Sequence, residues 1–430
     1  MSRRVPLAGA IAAVAVTVTG WMVLPAPPPA IPTSDWSRFY RPIGRSLADG
    51  RGMVPQDKEV SVVSYPPGYP LLVAASFAVG DRLGMTESQA VRGLNLLCVA
   101  ISGALIASLA GAAGARRGVA GAVLWSAYPP TLWLTAQPLS EVPFAVLLLA
   151  SFATWRAALR SGVLRPWLWL AAGTLAGGAA LVRPIAAFLG GLLALLAFLP
   201  GALERGRFAR AQAASLLLAG WVLALVPWQV WSAHRTGAFV FLSSVGTDSM
   251  LDGLTWAVRD KGYRSVTSLS PETRAAMEGF GALGESASFA AIAREARRQV
   301  AEEPAGLARL LGWKLLRPLW GTDSGRKEPP VAVVNLAVLG LYLVAMRVAP
   351  DGETRTTLTA AGAVLVLFWA MSSAVLPIAR YLAPPLALIS GLLPLALPPR
   401  REPRGGEQGR PRAAGPVSMQ EPPLQRRSRR

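Results

Sequence analysis

Asp35, Glu141, Arg183, the pair His234–Arg235 and the pair Arg380–Tyr381 are the side chains best suited to chemistry in a chain that is only 16% charged. A carboxylate can take a proton from a hydroxyl, and a guanidinium can grip an anionic oxygen through paired N–H bonds. Asp35 opens a segment holding Arg38, Tyr40 and Arg45, which runs into SYPPGYP at residues 64–70 and so adds Tyr65 and Tyr69. A carboxylate followed by an aromatic loop stiffened by proline suits a site better than a tether. Each position also has a plainer explanation. A loop aspartate is often just solvated, and Ser140–Glu141 suits the start of a helix, where a hydroxyl and an acid are favoured. Arg183 and Arg380 at helix ends can snorkel towards water. His234, the one histidine, fits a structural role as readily as a chemical one.

The elements that must position these residues are membrane helices. Hydrophobic residues make up 52% of the 430, and soluble domains carry about 25% charged residues, well above the fraction here. Apolar runs lie at about 7–24, 91–114, 118–136, 139–159, 166–182, 184–200, 211–232, 331–348, 357–376 and 380–398. They approach the roughly 20 residues that a spanning helix needs. The run 69–80 falls well short of a bilayer core of about 30 Å at 1.5 Å per residue. Whether that run spans decides the side on which every later loop falls. Read as an interfacial helix, it leaves Arg116–Arg117, Arg156 with Arg160 and Arg165, the basic residues of 204–210 and the Arg-rich end of the chain inside, as the positive-inside rule requires.

The sequence therefore predicts an all-α polytopic membrane protein of the cytoplasmic membrane with about ten spans and both termini cytoplasmic. A retained first helix starts the chain, and a juxtamembrane helix lies at about 68–80. The outside receives residues 25–90, a short turn at 137–141 and a long, partly helical loop at 233–329. In that loop Ser270-Pro271-Glu272 marks a helix start. Its segment LARLLGWKLLRPLWG at 307–321 has the Trp and Lys/Arg content of an interfacial helix. Residues 401–430 read as a disordered basic cytoplasmic tail. The net charge of +19 is the charge of inside loops rather than of a nucleic-acid surface, because no basic stretch is interleaved with stacking aromatics. Cys98, the single cysteine, excludes an intramolecular disulfide.

Under this topology Asp35, Glu141, Arg183, His234–Arg235 and Arg380–Tyr381 share one membrane face. Acids beside guanidiniums at that depth suit a phosphate-bearing amphiphile. The ordered landmarks SDWSRFYRPIGRSLADGRG, SYPPGYPLLVAASFAVG, YPPTLWLTAQPLSEVPFAVLL, LAGGAALVRPIAAFL, VPWQVWSAHRTGAFVFLSSVG and ARYLAPPLALIS span about residues 5–400. Together they resemble the polyprenyl-phosphate-dependent glycosyltransferases of the GT-C superfamily. Those enzymes include bacterial relatives of protein O-mannosyltransferases and of the lipid A aminoarabinose transferase. The resemblance implies a GT-C-like transmembrane domain over 1–400, with Asp35 as catalytic base or acceptor-orienting acid and Glu141 as the acid of the second loop. It puts Arg183, Arg380 and Tyr381 near the donor phosphate. Arg235 is added there by its position, and Tyr40, Tyr65, Tyr69 and His234 are assigned to an acceptor or loop cavity. One departure stands out: protein mannosyltransferases carry an acidic pair in the first loop, whereas Trp36 follows Asp35 here.

No Rossmann GxGxxG fingerprint, which needs a strand before it and a helix after, and no DxD motif is present to hold a nucleotide sugar; GFGALG at 279–284 has the glycine spacing alone. The expected donor is therefore a sugar on a polyprenyl phosphate, and the expected acceptor a hydroxyl of a glycan, lipid or protein. The reaction implied is single displacement with inversion. No cofactor is called for, although a divalent metal bridging acid and phosphate is compatible with the residues. A transporter or flippase for a lipid-linked glycan would draw on the same anion-binding residues and remains the alternative.

Overall fold

The structure, a computed structural model, describes residues 4–24, 34–57, 60–161, 165–199, 206–256, 269–284, 287–323, 325, 327–350 and 352–397. The tail assigned to 401–430 lies outside them. No strand occurs among the described residues. In chain order the helices are α1 (Arg4–Val23), α2 (Arg41–Ala48), α3 (Gly68–Arg82), α4 (Glu87–Ala110), α5 (Ala115–Ala127) and α6 (Pro129–Thr135). Next come α7 (Glu141–Ser161), α8 (Pro166–Val182), α9 (Leu189–Leu196) and α10 (Arg207–Thr236). The long loop then holds α11 (Gly246–Thr255), α12 (Pro271–Gly281), α13 (Phe289–Glu302) and α14 (Pro304–Leu316). The chain returns through α15 (Glu328–Val348), α16 (Gly352–Ala374) and α17 (Ala383–Leu392).

The ten predicted apolar runs are largely helical over their described residues. Six of the described helices are long and apolar enough to cross a membrane, and shorter apolar segments lie at Pro166–Val182, Pro184–Leu196 and Ala383–Ala396. The run 118–136 is divided into α5 and α6. Tyr128, which precedes Pro129, has ψ 116°, since a proline ring disfavours helical backbone in the residue before it. The run 69–80 becomes α3, whose 15 residues reach about 22 Å at 1.5 Å per residue.

Small residues let the spans approach closely. A side chain built on Gly173 of α8 would collide with the Leu217 carbonyl of α10, and one on Gly220 of α10 with the Leu170 carbonyl of α8. Van der Waals contact at such seams replaces the hydrophobic drive that lipid does not supply.

The long loop has a small core of its own, in which Leu251, Leu254, Met277, Phe280, Ile292 and Leu310 are buried. Helix α12 starts where the sequence predicts: the Ser270 hydroxyl accepts from the Thr273 N–H at 3.3 Å, and Pro271 occupies the first turn. The expected interfacial character of residues 307–321 needs correction at two positions. Lys314 and Arg317 are 3% and 0% exposed, because both turn inward onto backbone carbonyls.

Candidate active site

Asp35 stands at the head of a π-helical turn, Trp36–Tyr40, that continues directly into α2. The arginines that follow it are committed to acids of the same loop. Arg38 meets Asp57 at 2.8 Å, Arg41 meets Glu87 at 2.6 Å, and Arg45 bridges Asp81 at 2.6 Å and Glu87 at 3.1 Å. Most of these groups are exposed, so each pair is worth at most about 1 kcal/mol; their value is to shape the loop. Asp35 is left facing the site, where the Tyr65 hydroxyl donates to its Oδ1 at 2.8 Å.

Tyr65 is itself held by rings, with Phe39 at 5.1 Å, Tyr40 at 5.2 Å, and Tyr69 behind Tyr40 at 4.9 Å between centroids. Burial, and next the charge of Asp35, push the Tyr65 and Tyr40 hydroxyls well above the ordinary phenol range. Both remain protonated donors at neutral pH. The turn before Tyr65 is tied to the segment after α10: the Ser243 hydroxyl donates to the Ser64 carbonyl at 2.5 Å, and the Ser244 N–H to the Val63 carbonyl at 3.0 Å.

The second group of residues comes from the ends of α7 and α8. Asn95 of α4 donates to the carbonyls of Thr135 and Gln137, each at 2.9 Å, and so fixes the turn that delivers Ser140 and Glu141. Arg183 follows α8 with φ −142° and ψ 118°, the extended conformation that Pro184 imposes on its predecessor. This ends the helix and brings the guanidinium to Glu141, with Nη1 at 2.7 Å from Oε1, while the same Nη1 donates to the Ser140 hydroxyl at 2.8 Å. Glu141 is 1% exposed, and neither of its carboxylate oxygens accepts a well-aligned hydrogen bond. Its contact with Arg183 is thus an ion pair whose angles fall short of a hydrogen bond. Arg380 approaches from beyond α16, with Nε 3.6 Å from Glu141 and Nη1 3.6 Å from Asp323. The Tyr381 ring lies 5.0 Å from the Arg183 guanidinium and 5.5 Å from that of Arg380, within cation–π range.

These groups line one cavity of about 310 Å³. Asp35, Tyr40, Tyr65, Glu141, Arg183, Arg380 and Tyr381 face it together with apolar Ile185, Phe188, Phe241, Met371 and Val375. Three predicted positions fall elsewhere. His234 and Arg235 occupy the last turn of α10, are exposed and do not line the cavity. A charge at a helix end marks depth, but the helical turn decides direction. Tyr69 is fully buried in the first turn of α3 and buttresses Tyr40 from behind instead of lining the space. Among the described residues no group of three or more acids, histidines or cysteines converges as metal ligands. The lining acids are Asp35 and the already paired Glu141.

Asn95 and Asp323 were not anticipated. Asn95 carried a signal, being an amide inside the apolar run 91–114. Replacing it with leucine should leave two loop carbonyls unpaired at a cost of about 1–3 kcal/mol. A clear fall in the melting temperature of the purified protein is expected for Asn95→Leu. An unchanged melting curve would contradict the role of Asn95 in holding the turn.

No family model matches the sequence, and no curated protein matches it. Among solved structures, the archaeal oligosaccharyltransferase AglB from Archaeoglobus fulgidus, in complex with an inhibitory peptide and a dolichol-phosphate, superposes with a TM-score of 0.54 at 13% identity. The match covers 90% of this chain and 50% of AglB. The two share a fold. The chain spans about half the length of that protein, and the fold agrees with the one implied by the GT-C resemblance. ArnT from Cupriavidus metallidurans bound to undecaprenyl phosphate aligns at 16% identity over 89% of this chain and 77% of its own, with a TM-score of 0.37.

Proposed function

We propose that the protein is a membrane glycosyltransferase that moves a sugar from a polyprenyl phosphate to an acceptor hydroxyl at the outer face of the cytoplasmic membrane. The observation that carries this reading is the meeting of Asp35, two guanidiniums and an apolar wall in one cavity. A lipid-linked sugar phosphate needs all three: a base for the acceptor, cations for the phosphate and a dry surface for the first isoprene units. The fold shared with an oligosaccharyltransferase in complex with a dolichol-phosphate supports the same reading.

In the proposed step Asp35 accepts the acceptor hydroxyl proton while the oxygen attacks the anomeric carbon. The bond from that carbon to the phosphate oxygen breaks, and polyprenyl phosphate leaves with the electron pair, inverting the configuration. Arg183 and Arg380 face the charge that develops on the leaving oxygen, where preorganised cations in a water-poor site contribute most. Glu141 acts through Arg183: a buried carboxylate fixes the guanidinium and holds it ready. Tyr65 orients Asp35. Tyr65→Phe should lower kcat about tenfold, the scale of one lost hydrogen bond to a charged group, with the donor KM unchanged. A variant with wild-type turnover would remove Tyr65 from the mechanism.

The reading is tested with purified protein in liposomes, a radiolabelled polyprenyl-phosphate hexose or pentose, and glycan, lipid and peptide acceptors. Transfer of label with stoichiometric release of polyprenyl phosphate is expected. Movement of labelled lipid between leaflets with no release of polyprenyl phosphate would replace the transferase with a flippase.

A further inference from the structure

The long loop contributes two buried cations that neither the cavity nor the proposed chemistry uses. Lys314 lies in the last turn of α14 and Arg317 begins the tight turn that follows. The Lys314 ammonium donates to the carbonyl of Val375 at 3.0 Å and reaches that of Ala374 at 3.4 Å, where α16 ends and its last carbonyls lack helical partners. The Arg317 guanidinium donates to the Pro377 carbonyl at 2.7 Å and to that of Thr322 at 3.2 Å. It also pairs with Glu328 at 3.3 Å and lies 4.2 Å over the Trp256 ring. Two residues further on, the Ala379 N–H donates to the Gly321 carbonyl at 2.6 Å. Arg380 and Tyr381 come next.

Four consecutive attachments thus bind residues 374–379 to residues 314–321. They adjoin the core of the loop, since Lys314 lies one turn beyond buried Leu310 on α14 and Arg317 covers the Trp256 ring, and so they tie that core to residues 374–379. What they fix is a stretch with no regular secondary structure of its own between the end of α16 and Arg380. Ser372 also holds part of that stretch, its hydroxyl donating to the Leu376 carbonyl at 3.1 Å; losing the four attachments would loosen the backbone that leads to the phosphate-facing guanidinium. Close approach of α11 adds to the clamp: a side chain on Gly253 would collide with the Val375 carbonyl and stand 2.9 Å from the Lys314 ammonium.

We infer that Lys314 and Arg317 are positioning residues for Arg380 and Tyr381, coupling the fold of the long loop to the affinity of the cavity for a lipid phosphate. This rests on the donor proposed above. Burial pushes the Lys314 ammonium down to about 7, so the amine is partly neutral at neutral pH, and its N–H groups can donate to the two carbonyls in either form.

The test is Lys314→Met, which keeps an unbranched side chain of similar length and removes the cost of burying a charge. Equilibrium binding of undecaprenyl phosphate to the purified variant should weaken about tenfold, the loss expected for one charge-assisted hydrogen bond. The acceptor KM should stay within about twofold, since Asp35 is untouched. Lys314→Arg should recover most of the binding, as a purely structural defect would not. The companion measurement uses the wild-type protein, in which amide hydrogen exchange is followed with and without undecaprenyl phosphate. Residues 314–323 and 376–382 should gain protection together. Wild-type binding by Lys314→Met, or protection confined to 376–382, would overturn the coupling. Loss of transfer in Lys314→Met with binding intact would overturn it as well. Wild-type transfer by Asp35→Asn would instead strike the proposed reaction and leave this result standing.

Discussion

Asp35→Asn should lower turnover by about 10²–10⁴-fold, the contribution of a well-placed general base. The protein should still insert, melt at the wild-type temperature and bind undecaprenyl phosphate normally. Asparagine preserves the size of the side chain and can still meet the Tyr65 hydroxyl, whose bond to Asp35 is 2.8 Å. What it loses is the capacity to take a proton. Initial rates under saturating donor, with binding measured separately, separate the two contributions. Turnover within twofold of wild type would end the assignment of Asp35 as base, and with it the proposed mechanism.

Arg183→Ala should have the second large effect, and an unusual one, because the same guanidinium serves stability and the proposed binding. Its partner Glu141 is 1% exposed and lies 2.7 Å from Nη1. Removing one member of a buried pair costs up to about 3–5 kcal/mol, and here Glu141 would keep only Arg380, 3.6 Å away. The single variant should melt well below wild type and fail to retain undecaprenyl phosphate. Adding Glu141→Gln removes the stranded charge, so the double variant should regain most of its thermal stability while binding stays lost. Recovery of binding along with stability would mean that Arg183 only supports the fold. Arg380 would then be the cation to examine.

Much of the fold could be read from the sequence, because membrane spans depend on a local property, the length of an apolar run. The ten runs are largely helical over their described residues, and the short one at 69–80 is a helix as well. The site was legible in part for a related reason. Asp35, Glu141, Arg183 and Arg380 are each conspicuous as charges beside apolar runs, and a shared face made them candidates for a shared cavity.

Direction around a helix was not legible. His234 and Arg235 are exposed and do not line the cavity, and Tyr69, four residues beyond Tyr65, packs behind Tyr40. The most instructive correction lies within residues 307–321, where Lys314 and Arg317 read as surface cations of an interfacial helix and are instead buried. The partners of Lys314 and Arg317 are carbonyls some 60 residues along the chain, and no local pattern announces that a cation will cap another helix. Asn95 was hidden in the same way: an amide among apolar residues is visible, but the turn it secures is not.

The glycine seam between α8 and α10 has a mechanical consequence. Arg183 is the first residue beyond α8, and the segment that binds the Ser64–Tyr65 turn leaves α10 a few residues after its end. Gly173 and Gly220 pack the two helices backbone to backbone, so the proposed phosphate cation and the anchor of the proposed base hang from one tightly packed helix pair. A lipid tail entering the cavity cannot do so by prising those helices apart. A lipid tail is therefore expected to enter the cavity elsewhere than through that seam.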